Sequence, residues 1–266
     1  MIGVNTMSSK KEIYAQHGIE LENGKLVSPI GLINPLLVDG NSKIGKGVFH
    51  FSTLPANIEF TVNVNGVAMT VKGTCPCRCN GCYAMSGNFR YQSVKDSLAV
   101  RTVIARDYMD FCERAINAQI QADKVKIIRI HASGDFFSLE YALMWQRIAR
   151  NNPDVLMWTY TKNKACENVF DGLPNANIVK SVIPGKGFNF GHCDYILSCY
   201  EYLKAQGKTV YICRCGIDKE QHCVNCHGCA KNEYVLFLEH STSYKAEKDP
   251  LFPVLKAVID SQPAQD

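Results

Sequence analysis

Between Glu59 and His240 the spacing of apolar positions changes several times, and each change marks an element. "EFTVNVNGVAMTVKG" alternates apolar and polar residues on either side of Asn65-Gly66, which predicts a β-hairpin. A cysteine-dense stretch follows, and the period then becomes helical. In "SVKDSLAVRTVIARDYMDFCERAINAQI", Val94, Leu98, Ile104, Tyr108, Phe111 and Ala115 keep that period behind a Ser93 cap, predicting one long helix. "KVKIIRIHASGD" is a strand ending at Gly134, and "SLEYALMWQRIARN" a helix capped by Ser138. The alternation continues with the strand "DVLMWTYTKN", a short helix at "KACENVF" and the strand "ANIVKSVIPGKG". The helix "DYILSCYEYLKAQ", the strands "KTVYICRC" and "EYVLFLEH", and an amphipathic helix near "PLFPVLKAVID" complete the series.

Residues 1 to 58 carry Gly, Asn and Pro punctuation in "ENGKL", "LVDGNSKIGKG" and "STLPA", and read as an N-terminal extension packed on the core. Residues 59 to 266 form the core, including a cysteine-rich loop at 213–229. Counted from the hairpin's second arm, six strands separated by mostly helical connections predict an α/β fold with a parallel sheet. A partial (β/α)6 barrel is the preferred closure, and a doubly wound open sheet is the alternative.

Composition adds one large fact: thirteen of 266 residues are cysteine. The N-terminus lacks the apolar run of a secretory signal, so a reducing, cytoplasmic setting is expected and metal becomes a better explanation than disulfides. No window approaches the roughly 18 apolar residues of a membrane helix. A net charge of +4, scattered along the chain, permits a nucleic-acid partner without indicating one.

In parallel α/β sheets, chemistry collects beyond the carboxyl ends of the strands. The expected positions are Cys75, Cys77, Cys79 and Cys82; then His131, Ser133, Gly134 and Asp135; then Thr159, Thr161 and Lys162; then Gly185 and Lys186; then Cys213 and Cys215; and finally His240. Cys75, Cys79 and Cys82 form C-x3-C-x2-C. Three thiolates on one loop can hold three irons of a four-iron cluster and leave the fourth open to a ligand. Zinc is the alternative, because Cys77 could complete a closed tetrahedral set. Lys162 is either a catalytic-site cation that neutralises a carboxylate or phosphate or a solvated loop lysine. His131 is either a catalytic group or a hydrogen-bonded core histidine. Cys112, Cys166, Cys199, Trp145 and Trp158 read as core.

The triplet resembles that of the radical S-adenosylmethionine (SAM) superfamily, in which C-x3-C-x2-C follows the first strand of a partial β6/α6 barrel. The resemblance implies a [4Fe-4S] cluster on Cys75, Cys79 and Cys82, with SAM chelated at the open iron and cleaved reductively to a 5′-deoxyadenosyl radical. It also implies an electron donor such as a flavodoxin or ferredoxin. "HASGD" is similar to the family's second-strand segment, which makes Ser133, Gly134 and Asp135 expected SAM contacts. The family's adenine-facing aromatic commonly precedes the last cysteine; here that position is Gly81, and the aromatic, Tyr83, follows Cys82. A whole-chain resemblance runs to the phage and plasmid family labelled gene product eighty-eight, through "NSKIGKGVFHFSTLP", "CNGCYA", "RIHASGDFFS", "WTYTK" and "CVNCHGC" in that order. That resemblance implies mobile-element origin and no particular reaction.

The second cysteine group, "CRCGIDKEQHCVNCHGC", offers Cys223, Cys226 and Cys229 at C-x2-C-x2-C, with Cys213 and Cys215 upstream. An auxiliary iron–sulfur cluster and a structural Zn2+ site both suit it. Two functions are therefore expected in competition: a radical SAM enzyme acting on an unknown substrate, or a zinc-stabilised, non-catalytic mobile-element protein that binds nucleic acid or protein.

Overall fold

The structure, a computed structural model, describes residues 8–40, 44–77, 79, 82–180, 190–214, 217–218, 222–239 and 244–263. The chain opens with α1 (Lys10–Gln16), started by a capping box in which Ser9 and Glu12 satisfy each other's backbone N–H groups. A small antiparallel sheet follows, made of β1 (Leu21–Glu22), β2 (Lys25–Ser28) and β3 (Gly31–Ile33). β4 (Val48–Phe51) comes next, then the hairpin β5 (Glu59–Val64) and β6 (Val67–Lys72).

The hairpin forms over Asn65-Gly66 as the alternation predicts, with both turn residues at positive φ. It does not begin the parallel sheet. β6 pairs only with β5 among the described residues, and the hairpin packs its Phe60, Val62, Val64 and Val71 against Leu98, Ala99 and Val103. The strand that heads the sheet is β4, from within the expected N-terminal extension. It pairs in parallel with β7 (Ile127–Ile130), which pairs with β8 (Leu156–Tyr160), which pairs with β9 (Ala176–Val179). The count of six strands from the hairpin arm is thus corrected. "VFHF" is too short, and too closely hedged by turn residues, for period alone to mark it as a sheet strand.

The predicted long helix is two helices, α2 (Gln92–Asp107) and α3 (Met109–Ala122). They divide at Tyr108, whose φ of −137° and ψ of 49° leave the helical region, so the axis turns while the apolar period runs on. Ser93 lies inside the first turn of α2, and the capping position is Tyr91. The Ser138 cap does form, at the start of α4 (Leu139–Asn151), where its hydroxyl accepts the Tyr141 N–H.

Alternation along the four strands creates two faces. Phe51, Ile128, Ile130, Met157 and Ile178 meet α3 and α4 in the main core, which also buries Trp145, Cys112 and Cys166. Val48, Ile127, Arg129, Trp158, Tyr160, Asn177 and Val179 occupy the opposite, inner face. That face is covered by the cysteine-rich segment leading into α6 (Gly228–Lys231), with Cys223, Val224, Cys229 and Ala230 packed on Val48 and Trp158. Asn177 fixes the segment by donating to the carbonyls of Cys229 and Asn232, each at 2.8 Å.

A second parallel sheet holds β10 (Phe190–Gly191), β12 (Tyr234–Leu238) and β11 (Val210–Ile212), in that order. α5 (Cys193–Ala205) and α7 (Phe252–Asp260) pack on it around Ile196, Leu203, Ile212, Leu236 and Leu255. The two sheets meet where the Lys180 N–H donates to the Glu233 carbonyl at 2.8 Å. Among the described residues no strand ladder joins them, so the architecture is mixed α/β with parallel sheets and without a closed barrel. No helix among the described residues is long and apolar enough to cross a membrane.

The segment before β4 is held by polar side chains that replace strand partners. Gln119 of α3 accepts the Leu37 N–H and donates to the Leu37 carbonyl, both at 2.8 Å and buried. Arg101 of α2 donates to the Leu36 carbonyl at 2.9 Å. Gln119→Leu keeps the volume but strands two buried backbone groups, and is expected to cost about 2–4 kcal/mol. Chemical denaturation measures that loss, and limited proteolysis should then cut first near Leu36–Leu37.

Candidate functional site

The carboxyl edge of the four-stranded sheet is assembled by threonines. Past the end of β4, the Thr53 N–H donates to the Ser133 carbonyl at 3.0 Å, and the Ser133 hydroxyl returns a bond to the Thr53 carbonyl at 2.6 Å. Thr74, just past the hairpin, gives its hydroxyl proton to the Leu54 carbonyl at 3.0 Å. Its oxygen therefore accepts from Thr53 Oγ1 at 2.8 Å and from the Asp135 N–H at 3.0 Å. These bonds return the hairpin's exit, and Cys75 with it, to the edge that β4 left at Phe51. The cysteine loop thus reaches the carboxyl edge although its preceding strand lies outside the sheet.

Asp135 is the hub. Its Oδ1 accepts the Thr161 hydroxyl at 2.6 Å and the Phe136 N–H at 2.7 Å, and its Oδ2 accepts the Lys162 N–H at 2.8 Å. Burial pushes the carboxyl up to about 6, against the opposing pull of these bonds and of the Lys162 charge. Gly134 makes the geometry attainable. It sits at φ +87°, and a Cβ there would lie 1.9 Å from Thr53 Oγ1 and 2.7 Å from Thr74 Oγ1.

Cys75 lies within electrostatic reach of Asp135, Lys162 and Cys82. Burial, followed by the Asp135 charge, pushes its thiol up to about 12. Cys77 and Cys79 approach to 3.6 Å between sulfurs, and burial with that contact raises Cys77 to about 11. All the described cysteines are free thiols. As they stand, no three His, Cys, Asp or Glu side chains among the described residues converge as a metal-ligand set. The structure therefore brings Cys75, Cys77, Cys79, Cys82, Asp135 and Lys162 to one edge without arranging the thiols around a common centre.

The other expected positions divide. Tyr83 is more than half exposed and donates its hydroxyl to the Ala132 carbonyl. Ser133 has its hydroxyl committed to Thr53. His131 turns away into the main core: its Nδ1 lies 3.2 Å from Thr159 Oγ1 and its Nε2 3.0 Å from Tyr141 Oη. Burial lowers it to about 3, so it is neutral at ordinary pH, and proton transfer would require breaking one of those core bonds. Gly185, Lys186, Cys215 and His240 lie outside the described residues.

The second cysteine group lies across the inner face, not at the carboxyl edge. Cys226 and Cys229 pack with Cys213, Tyr211 and Tyr160, while Cys223 and Cys229 pack beside Trp158. The Tyr160 hydroxyl donates to Cys229 Sγ at 2.9 Å, and Tyr211 Oη lies 3.6 Å from Cys226 Sγ.

Arg129 was not among the expected residues, although a lone charge inside the apolar run "KIIRIH" is the kind of signal that could have found it. Its guanidinium lies 5.3 Å from the centre of the Tyr160 ring and reaches Tyr83 Oη at 3.4 Å. Burial alone would lower it, yet Tyr83, Tyr160, Cys223 and Cys229 together raise it. One cation thus faces the residue after the first cysteine loop and the sulfurs of the second.

These features define a mixed α/β protein with one cysteine-rich loop at the carboxyl edge of a parallel sheet and a second cysteine-rich segment on its inner face. The chain belongs to the family described as Gene product 88, which matches residues 35–186. That span includes the first loop, Asp135 and Lys162, but not the second cysteine group. The chain is similar to the Gene 88 protein of Mycobacterium phage L5, 27% identical over 117 residues covering 40% of this chain and 46% of the phage protein. It is also similar to the Gene 88 protein of Mycobacterium phage D29, 26% identical over 136 residues covering 47% and 52%. The chain spans about half the length of these curated relatives. No solved structure matches it.

Two outcomes follow from the site's geometry. Gly134→Ala combines an unfavourable φ with a clash against Thr53 and is expected to cost more than about 2 kcal/mol in denaturant unfolding. His131 contributes an acid sensitivity of definite sign. Below pH 6.5 the unfolded chain binds a proton that the folded chain refuses until about pH 3, so stability falls as pH drops through that window. Asp135, raised to about 6, opposes this below that pH. In His131→Gln the loss of stability between pH 7 and pH 5 should shrink by about 2 kcal/mol, read from unfolding curves at each pH.

Proposed function

We propose that this chain is an iron–sulfur protein of radical SAM type, with Cys75, Cys79 and Cys82 as cluster ligands. The observation that carries the reading is the Thr53–Thr74–Asp135–Thr161 hydrogen-bond chain, which delivers the C-x3-C-x2-C loop to the carboxyl ends of β4, β7 and β8. The chemistry of the donor set fits such a group. Four thiols lie on one loop, and the neighbouring carboxylate, Asp135, already accepts three bonds and does not compete as a hard ligand.

Cys75, Cys79 and Cys82 would hold a four-iron cluster there, and such a group would supply one-electron chemistry for the reductive cleavage of SAM. The electron comes from a low-potential flavodoxin or ferredoxin. The chain's own residues have positional and electrostatic roles. Lys162 lowers the electrostatic cost of charge on Asp135 and would do the same for Cys75 and Cys77 as thiolates. Asp135 ties the loops after β7 and β8 together, and its Oδ2 has capacity for one further donor, such as the SAM ammonium. Gly134 keeps side-chain bulk out of the approach to Thr53 and Thr74. Tyr83 is the exposed aromatic surface beside the loop, suited to stacking on adenine.

The test is anaerobic reconstitution with iron and sulfide, followed by electron paramagnetic resonance of the reduced protein with and without SAM. Iron and sulfide in near-equal amounts, a spectrum altered by SAM, and 5′-deoxyadenosine formation lost in Cys79→Ala are expected. Zinc without sulfide, or a reconstituted cluster that never cleaves SAM, would overturn the reading.

A further inference from the structure

The geometry points to a second, independent metal centre: we propose that Cys223, Cys226 and Cys229, with Cys213, bind one thiophilic metal on the inner face of the four-stranded sheet, and that Arg129 supplies its counter-charge. The proposal does not rest on the reading of the first loop.

Four thiols from two elements pack there in two adjoining clusters that share Cys229, and as they stand they do not converge on a common centre. Cys213 follows directly on β11, while the other three lie on the segment that Asn177 clamps to β8 and β9. Buried donors surround them. Tyr160 and Tyr211 direct their hydroxyls at Cys229 and Cys226. More informative are two donors with nothing to bind: Arg129 Nε and Trp158 Nε1 are buried and have no hydrogen-bond partner in the structure. They belong to register partners on adjacent strands, so both side chains emerge side by side on the face that the cysteine segment covers. Trp158 is 1% exposed and packs in the same cluster as Cys223 and Cys229.

Buried N–H groups are rarely left unsatisfied, and each one costs stability when it is. A purely packed loop of neutral thiols explains neither orphan, since a thiol is a weak acceptor. Thiolates explain both. When a divalent cation binds four cysteine sulfurs, the thiol protons leave to solvent and the centre retains a net charge of about −2. That charge needs the guanidinium and the indole and phenol donors already in place, in the way that groups behind metal ligands commonly tune a site. Arg129 also donates to the hydroxyl of Tyr83, the residue after Cys82.

Cobalt(II) alone is the probe. The full chain carrying Cys75→Ser, Cys79→Ser and Cys82→Ser, purified anaerobically and stripped of metal, should take up one equivalent. It should show a thiolate-to-cobalt charge-transfer band and tetrahedral ligand-field bands, both abolished by zinc. Adding Cys223→Ser, Cys226→Ser and Cys229→Ser to that variant should remove the equivalent. Arg129→Met should weaken cobalt binding at least tenfold, and Arg129→Lys, which keeps the charge, by less. Should Arg129→Met fail to fold, Tyr160→Phe preserves the ring and is expected to weaken binding severalfold with an unchanged circular dichroism spectrum. Absence of the charge-transfer band in the first variant would overturn the proposed centre. Equal affinity in wild type, Arg129→Lys and a folded Arg129→Met would overturn the role of the counter-charge.

Discussion

Asp135 is a buried residue whose hydrogen bonds join groups from three directions: its N–H donates to the Thr74 hydroxyl at the exit of the hairpin, while its carboxylate accepts the Phe136 N–H in its own loop and the Thr161 hydroxyl and Lys162 N–H past the end of β8. A buried charge with fewer partners would be too costly to keep. This one persists because several donors converge on it, and their convergence fixes the relative positions of three otherwise independent loops. The place of the first cysteine loop depends on this arrangement. Among the described residues, the bond between Thr74 and Asp135 is the direct polar link from the hairpin's exit to the loop after β7, and Thr53 supplies an indirect one through Ser133.

The hairpin makes that link necessary. The chain leaves the sheet at Phe51, runs out and back through β5 and β6, and must return before the cysteines. Gly73 permits the return by passing close to the Pro55 and Ala56 carbonyls, where a Cβ would lie 2.0 Å and 2.3 Å from their oxygens. Gly134 does the same from the other side against Thr53 and Thr74. Packing alone would tolerate small displacements of these loops. A chain of short, directional hydrogen bonds does not, and positional accuracy of that kind is what a reactive edge requires.

The inner face follows a different logic. Its apolar members, Val48, Ile127 and Trp158, would make an ordinary core with Ile44 and Val224. Arg129, Asn177 and the tyrosine hydroxyls interrupt that core, and every one of them is oriented toward the cysteine-rich segment or, through Tyr83, toward the first loop. A polar group is retained in such a place when something there answers it. Asn177 finds two carbonyls, and the tyrosines find sulfur.

Much of this was legible in the chain. The hairpin at Asn65-Gly66, the Ser138 cap, the alternation of strand and helix from Ile127 onward and the core placement of Trp145, Trp158, Cys112 and Cys166 all follow from local periodicity and turn chemistry, which act over a few residues. So did the gathering of Asp135 and Lys162 at one edge, because parallel strands point their loops the same way; Cys75 reaches that edge by another route, through the Thr74 bonds, since its strand lies outside the sheet. The sequence could not show that β4 heads the sheet, that Tyr108 breaks a helix, or that His131 faces the core while Arg129 faces the cysteines. The first two depend on which segments pair across long sequence separations, and His131, two residues beyond Arg129, leaves the strand's alternation at φ +62° just past the end of β7. Strand partners 79 residues apart, Val48 with Ile127, carry no local signature in either segment; only the folded sheet selects them.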